Sequence, residues 1–553
     1  MSFIVGKDVL PHEYNTARVY NNNTAVRLKW LMWFVMVLFA LFTVRTLQLA
    51  LEPSEYVHYG LNTNDVERRA DIVDRNGVVL AKSVKSGNIK LYPPKVKDKD
   101  KNAVAKVISD IVPMEYSFSD ALAIVNSGKS GVYIKKRASE DQINKFRLAH
   151  KKYDCFEIEQ YTIRRYPQKN IFAHVIGFSG KDEGLEGVEK TFNKYLTENN
   201  DALKLSIDAR VQNIFHEKLS IAMNKFSAKG ALGMMMKAST GEMIAMVQLP
   251  DYDPNNIKSS SAETRRSKLL RDNFEMGSVF KIFNTAMAYE NGLENNVYDV
   301  SKPYPIRDKY NRVVHNIKDI DSFYRDIKKG KKKPRMSTPE IMLHSCNTGS
   351  AQLALEFPAN TQKEFFHRIH FDKPISFDFG KTETAIMQQH WGPVEKATAS
   401  FGHGVSVTPM HLLLGVNAMT NGGYFIYPTL LKRGIGAIKG EKVLDSEISA
   451  HLRNIMYRVA EETTAQKARV PGIKVGGKTG TAEKRHKDGT TDKTRNATVF
   501  VGIFPVEAPQ YVIMIMLDEP HGTTETGGWK TASWNAVPTA GAILNEIMPL
   551  LFE

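Results

Sequence analysis

The 553-residue chain predicts a multidomain α+β protein with one membrane-spanning helix near its N-terminus. Three observations give that class. Residues 30–44 are an uncharged apolar run. Residues 52–200 are mixed in pattern and rich in turn signals. From Leu203 onward, β-rich runs near both ends of the remaining sequence enclose helical patterns. Strands from both ends then share one mostly antiparallel sheet covered by helices.

The run from Trp30 to Val44 is shorter than the roughly 20 residues a span needs. Apolar character resumes after Arg45, so a helix over 30–51 is long enough if Arg45 snorkels to the far interface. Arg27 and Lys29 precede the run and Glu52 and Glu55 follow it. Positive-inside logic puts residues 1–29 in the cytoplasm and the rest outside. The competing reading is a cleaved signal peptide, but no small-x-small site follows and the leading segment is long.

In 52–200, the apolar runs flanking Asp74-Arg75-Asn76-Gly77 read as a hairpin. Lys95 to Lys101 reads as a charged, solvent-facing connector. Residues 138–150 read as an amphipathic helix starting near Ser139, with Glu140 and Asp141 in its first turn. Beyond residue 200, a helical pattern covers Ala209 to Lys225. Ala231–Met236 and Glu242–Val247 flank Ser239-Thr240-Gly241 as a second hairpin. Three further strands are expected at 473–478, 497–504 and 511–517.

Hydrophobic content of 42% and charged content of 24% suit a folded, core-forming chain. The net charge of +15 suits nucleic acid, an anionic membrane surface or an anionic substrate. No nucleic-acid-binding signature accompanies it, so no nucleic-acid partner is expected. The run Lys328-Lys329-Gly330-Lys331-Lys332-Lys333 is either a solvated loop or a docking patch for lipid phosphates or a partner. The two cysteines, Cys155 and Cys346, fit isolated buried thiols better than a framework, although one bridge stays open. Neither they nor the histidines, His403 included, have metal-ligand spacing, and no cofactor is expected. Trp529 and Trp534 either frame a cleft or pack in the core.

Ser278-Val279-Phe280-Lys281 is an S-x-x-K ahead of an apolar stretch. On a helix, positions i and i+3 share a face, so the amine reaches the hydroxyl. Serine needs a base to become a nucleophile, and lysine serves only when desolvation or nearby cations lower its pKa. Two motifs complete the pattern: Ser345-Cys346-Asn347 and Lys478-Thr479-Gly480-Thr481. Alone, the first two are common. The K-T-G-T is expected by chance in on the order of one chain in a hundred. All three in this order point to acyl transfer through a serine ester.

The triple resembles the penicillin-recognising serine enzymes. Other segments resemble the class B penicillin-binding proteins: Arg69-Ala70-Asp71-Ile72-Val73-Asp74-Arg75-Asn76-Gly77 after the anchor, Arg164-Arg165-Tyr166-Pro167 with Ala173 to Gly177, Gly184 to Glu189, and Ser400-Phe401-Gly402-His403-Gly404 with Thr408-Pro409. Within that class, the double arginine and the K-T-G-T-A-E look most like the septal peptidoglycan transpeptidases. The sequence departs from the pattern at Ala70, where the family has glycine, and at Met276, where it has proline. It is also shorter than usual between Phe192 and Leu205.

The resemblance implies a tail over 1–29, a transmembrane helix over 30–51, an elongated α/β pedestal of the dimerisation type over 52–200, and a transpeptidase domain over 201–553. That last domain would hold a mostly antiparallel five-stranded sheet flanked by helices. Ser278 would be the nucleophile toward the D-Ala–D-Ala carbonyl, Lys281 its base and Ser345 the proton relay. Asn347, Lys478, Thr479, Gly480 and Thr481 would bind substrate: Asn347 with donor and acceptor, Lys478 with positive potential, the threonines on a carboxylate, and Gly480 by letting substrate lie along the strand. The backbone N–H groups of Ser278 and Thr481 would form the oxyanion hole, each worth about 3 kcal/mol. Implied partners are peptidoglycan stem peptides, lipid-linked glycan, β-lactams as covalent inhibitors, a membrane glycosyltransferase and other division proteins. The implied place is the inner membrane, with the catalytic domain in the periplasm. The competing readings are an elongation-type transpeptidase, a β-lactamase- or carboxypeptidase-like hydrolase, and a non-catalytic division scaffold.

Overall fold

The computed structural model describes residues 26–27, 29–44, 69–180, 183–358, 360–433, 440–485 and 491–552. The chain divides into two units, Met1–Asp65 and Val66–Glu553. In the first, residues 29–44 are helical, and the apolar side chains from Trp30 to Val44 are exposed. No helix among the described residues is long and apolar enough to cross a membrane. The expected span continues to Leu51, and its part from residue 45 lies outside the described residues, as does nearly all of the expected tail.

The second unit begins with the anticipated hairpin. Strands β1 (Ile72–Val73) and β2 (Val79–Leu91) pair antiparallel. Asp74 makes the turn: one carboxylate oxygen accepts from the Asn76 and Val78 N–H groups, both at 2.8 Å. An aspartate bonding its own backbone two residues on is a strong turn former. Strands β3 (Val132–Ala138) and β4 (Phe156–Arg165) pair with opposite edges of β2. Between them, helix α1 (Glu140–Tyr153) starts in a capping box, with Ser139 and Gln142 satisfying each other's backbone N–H. Its Ile143 and Phe146 join Ile89, Leu91, Ile108 and Phe156 in a separate small core. The Lys95–Lys101 connector follows one 3₁₀ turn, Pro93–Lys95, and contains another, Asp98–Asp100, with Val96 buried there rather than solvent-facing.

The R-A-D-I and R-R-Y-P segments meet at one buried carboxylate. Glu189 is fully buried and pairs with Arg69 at 2.8 Å and Arg164 at 2.7 Å. The Arg69 guanidinium also donates to Asn193 Oδ1 at 2.7 Å. Charges this deeply placed are tolerated only when paired and hydrogen-bonded, as these are.

The N-terminal layer continues into the larger one without a break in packing. Strand β5 (Leu203–Lys204) pairs parallel with β1. Leu203, Leu205 and Ile207 share a core with Ile72 and Leu80. The second Asp74 oxygen accepts from the Ala209 N–H at 2.9 Å, fixing the start of helix α2 (Ala209–Lys225) to the first hairpin.

The larger layer holds a five-stranded, wholly antiparallel sheet. Strands β6 (Gly230–Lys237) and β7 (Met243–Leu249) form its second hairpin. The helices that follow in the chain include α3 (Lys281–Glu290), α4 (Thr338–Leu343), α5 (Asn347–Glu356), α6 (Pro409–Thr420) and α7 (Ser446–Glu462). Strands β8 (Gly476–Arg485), β9 (Thr491–Phe504) and β10 (Tyr511–Asp518) return to the sheet, and helix α8 (Ala536–Leu551) closes the chain. The order is β8-β9-β10-β6-β7.

Period-two alternation sends the sheet's side chains into two cores. Leu232, Met234 and Met236 of β6 face the core that holds α3 and α6. Ala231 and Met235 face the core that holds α2 and α8. Burial on both faces explains why these strands read as continuous apolar runs. β8 is an edge strand, and K-T-G-T lies within it.

Candidate active site

Ser278 sits in a 3₁₀ turn, Gly277–Phe280, that feeds directly into α3 at Lys281. The sequence predicts a helix here. The tighter turn serves the same end, because residues three apart nearly eclipse at three residues per turn. Lys281 Nζ donates to Ser278 Oγ at 2.8 Å and to Asn347 Oδ1 at 2.7 Å. Lys281 to Ala288 are all buried, and the aromatic rings of Phe280, Phe283, Phe366 and Phe371 pack around the start of the helix. That packing holds the lysine in place and removes water from it.

Ser345 lies between α4 and α5 at φ +57°, in the left-handed region. A non-glycine residue there stores about 1–3 kcal/mol of strain, which surrounding structure must hold. Lys478 Nζ donates to Ser345 Oγ at 3.0 Å and to the Thr479 carbonyl at 3.1 Å.

Glycine at 480 has a packing reason. A Cβ there would sit 2.1 Å from the Met276 carbonyl oxygen, so only glycine lets β8 lie against the Ser278 turn. The bare Cα supplies this contact. A Cβ on Gly402, in the S-F-G-H-G loop, would likewise meet the Gly277 carbonyl at 2.2 Å. Three segments far apart in sequence are therefore pressed together around Ser278.

Burial lowers the pKa of Lys281 to about 8, and the negative charge of Asp319 partly opposes that fall. The Lys281 ammonium also lies 5.5 Å from the centre of the Phe401 ring. Lys478 is held well below the usual lysine range, by burial first and then by the charge of Lys281. The cluster thus contains an amine whose lowered pKa leaves a usable neutral share beside a serine hydroxyl, which suits general-base work at physiological pH.

The structure adds residues that no motif announced. Asp319 is buried and organises the start of α5. Its carboxylate accepts from the Asn347 N–H at 2.6 Å, the Thr348 N–H at 3.1 Å and the Thr348 hydroxyl at 2.7 Å. It is an N-cap supplied from a distant segment. Thr464 lies 3.0 Å from Thr479, hydroxyl to hydroxyl. Glu275, next to the Ser278 turn, accepts from the Gly404 N–H at 3.0 Å and contacts His403 Nδ1 at 3.1 Å. Asp319 had no local signal, because its partners lie well downstream in sequence. Glu275 lies three residues before Ser278, within reach of a local reading of the sequence.

Some expectations change in detail. Asn347 Oδ1 accepts from Lys281 at 2.7 Å, and its Nδ2 donor lies 3.5 Å from the Lys318 carbonyl. The Thr481 hydroxyl accepts from the Ala532 N–H at 3.2 Å and keeps its own proton to donate. Cys155 and Cys346 are free and buried, and Cys346 Sγ accepts from the Gly349 N–H in the first turn of α5. Trp529 is 60% exposed, so core packing does not account for it.

Comparison with known proteins agrees with this geometry. Residues 231–548 match the penicillin binding protein transpeptidase domain, and residues 65–220 match the penicillin-binding protein dimerisation domain. The probable peptidoglycan D,D-transpeptidase FtsI of Caulobacter vibrioides is 29% identical over 87% of this chain and 81% of its own length. The peptidoglycan D,D-transpeptidase FtsI of Escherichia coli is 27% identical over 87% of this chain and 83% of its own. The crystal structure of penicillin binding protein 2X from Streptococcus thermophilus superposes with a TM-score of 0.72 at 21% identity, covering 88% of this chain and 79% of that one. With more than half of its length in the transpeptidase match and the dimerisation match before it, the chain belongs to the class B penicillin-binding proteins.

Proposed function

We propose that this protein is a serine-type peptidoglycan D,D-transpeptidase that cross-links stem peptides during cell division and is blocked by β-lactams. The observation that carries the reading is the hydrogen bond from a buried, pKa-lowered Lys281 to Ser278, beside the Lys478–Ser345 pair. Ser278 Oγ attacks the carbonyl of the penultimate D-alanine while Lys281 takes its proton. The oxyanion lies against the Ser278 and Thr481 N–H groups. The peptide C–N bond breaks, and Ser345, backed by Lys478, returns a proton to the departing D-alanine amine. An acceptor amine then attacks the ester, forms the new amide and restores the Ser278 hydroxyl. Asn347 Nδ2 and the Thr481 hydroxyl orient the donor peptide, and Thr479 supports Thr481's side of the strand. A β-lactam follows the same first step, but its leaving nitrogen stays tethered, so the ester persists.

The septal assignment is supported by the R-R-Y-P and K-T-G-T-A-E resemblance and by relatives named FtsI. The apolar run over 30–51 serves in this reading as a single-pass inner-membrane anchor, with the catalytic domain in the periplasm and a glycosyltransferase and other division proteins as partners. Residues 52–200 act as the pedestal and 201–553 as the transpeptidase domain.

Labelled penicillin tests the chemistry directly. The label is expected on the Ser278 peptide by mass spectrometry, and Ser278→Ala should abolish it. Undiminished labelling of the variant would remove Ser278 as the nucleophile.

A further inference from the structure

Residues 302–335 carry twelve Lys and Arg against four Asp, a net +8 in a chain whose total is +15. They begin with a hairpin, Tyr304–Arg307 paired with Val313–Ile317, and continue through a helix, Asp321–Lys328. Residues 311–316 are all exposed, and the patch also exposes Tyr310 and Ile320, at 66% and 73%. Most of the charge has no internal counterpart. Arg312 pairs with Asp308 and Lys333 with Glu340. Among the described residues Lys309, Lys328, Lys329 and Lys331 form no ion pair, and all four are exposed. A field this concentrated repels itself in the free protein and is relieved by an anionic occupant.

The surface is continuous with the serine cluster. Asn347 Nδ2 lies 3.5 Å from the Lys318 carbonyl, and the adjacent Asp319 holds the first turn of α5. A polymer presented beside Asn347 therefore meets Lys318 and the exposed strand of the hairpin next. The ammonium groups are compact point charges that accept carboxylates from many directions, which suits a repeating, flexible polyanion. Tyr310 adds a broad apolar face beside them.

We infer that the basic surface of residues 302–335, hairpin and following helix together, docks uncross-linked peptidoglycan strands, holding the free carboxylates of their stem peptides beside the serine site. The inference rests on the transpeptidase reading and adds where the polymer is gripped. Continuity with the serine cluster favours that occupant over an anionic lipid surface.

The test uses the full chain in phosphatidylcholine nanodiscs and a variant carrying Lys309→Gln, Lys328→Gln, Lys329→Gln and Lys331→Gln. Binding of soluble uncross-linked peptidoglycan strands should weaken about tenfold at low salt, or about 1.4 kcal/mol. The difference should close at high salt, where exposed charges are screened. Acylation by labelled penicillin should be equal in the two proteins. Equal strand affinity would overturn the inference. So would protection of these lysines from acetylation in phosphatidylglycerol nanodiscs without any strand, which would assign the patch to lipid. Failure of penicillin to label either protein would refute the transpeptidase reading instead.

Discussion

At the scale of single residues, the decisive quantity is the protonation of Lys281. Its neutral form is the competent base, and with a pKa of about 8 only about a tenth of it is neutral at pH 7. Below that pKa the neutral share grows tenfold per pH unit, and above it the share saturates. The acylation rate should therefore climb with pH and level off near 8, measured as the second-order rate of penicillin labelling. Asp319 works in the opposite direction, because its negative charge stabilises the ammonium and raises the Lys281 pKa. Asp319→Asn removes that charge, so the ascending limb should move to lower pH. A lower plateau with an unmoved limb would reduce Asp319 to a helix cap.

At the scale of elements, the contact between edge strand β8 and the Ser278 turn sets the geometry. Gly480→Ala places a methyl group where the Met276 carbonyl stands, 2.1 Å from an ideal Cβ. Backbone must move, at a cost of about 1–3 kcal/mol. A displacement of about 1 Å at a reacting centre costs about a hundredfold in rate. Penicillin acylation of Gly480→Ala should fall by about that factor, while the melting temperature drops only modestly. Unchanged acylation would mean that β8 and the serine turn are not mechanically coupled. The elements themselves were largely readable: α2 begins and ends where its pattern does, and both hairpins follow their turn residues. The 3₁₀ turn at Ser278 was not, because its tightening is imposed by β8 and the S-F-G-H-G loop rather than by local propensity.

At the scale of the whole molecule, the N-terminal layer and the catalytic layer share one core, and a buried carboxylate ties the motifs of the first layer together. Glu189→Gln would leave Arg69 and Arg164 buried without their partner. Removing one member of such a set costs about 3–5 kcal/mol. Calorimetry should show a clear fall in melting temperature for this variant. The fraction that remains folded should still acylate normally, since neither arginine touches the serine cluster. A melting temperature equal to the parent's would show that the first layer does not depend on this buried carboxylate.

The sequence by itself determined the chemistry and the class of fold. S-x-x-K is local, three residues wide, and its consequence follows from backbone geometry alone. S-x-N and K-T-G-T carry their side-chain types with them, and apolar runs and turn residues fix strands and helices within short windows. Only the tertiary structure decided how those pieces meet. Asp319 caps α5 from another segment, Phe401 lies over Lys281, and Glu275 holds the Gly404 loop. The physical reason is that desolvation and charge depend on what packs around a group. The same lysine on an exposed helix would be an ordinary cation; buried beside Asn347 and Phe401, it has a pKa lowered to about 8, and a usable share is neutral at physiological pH.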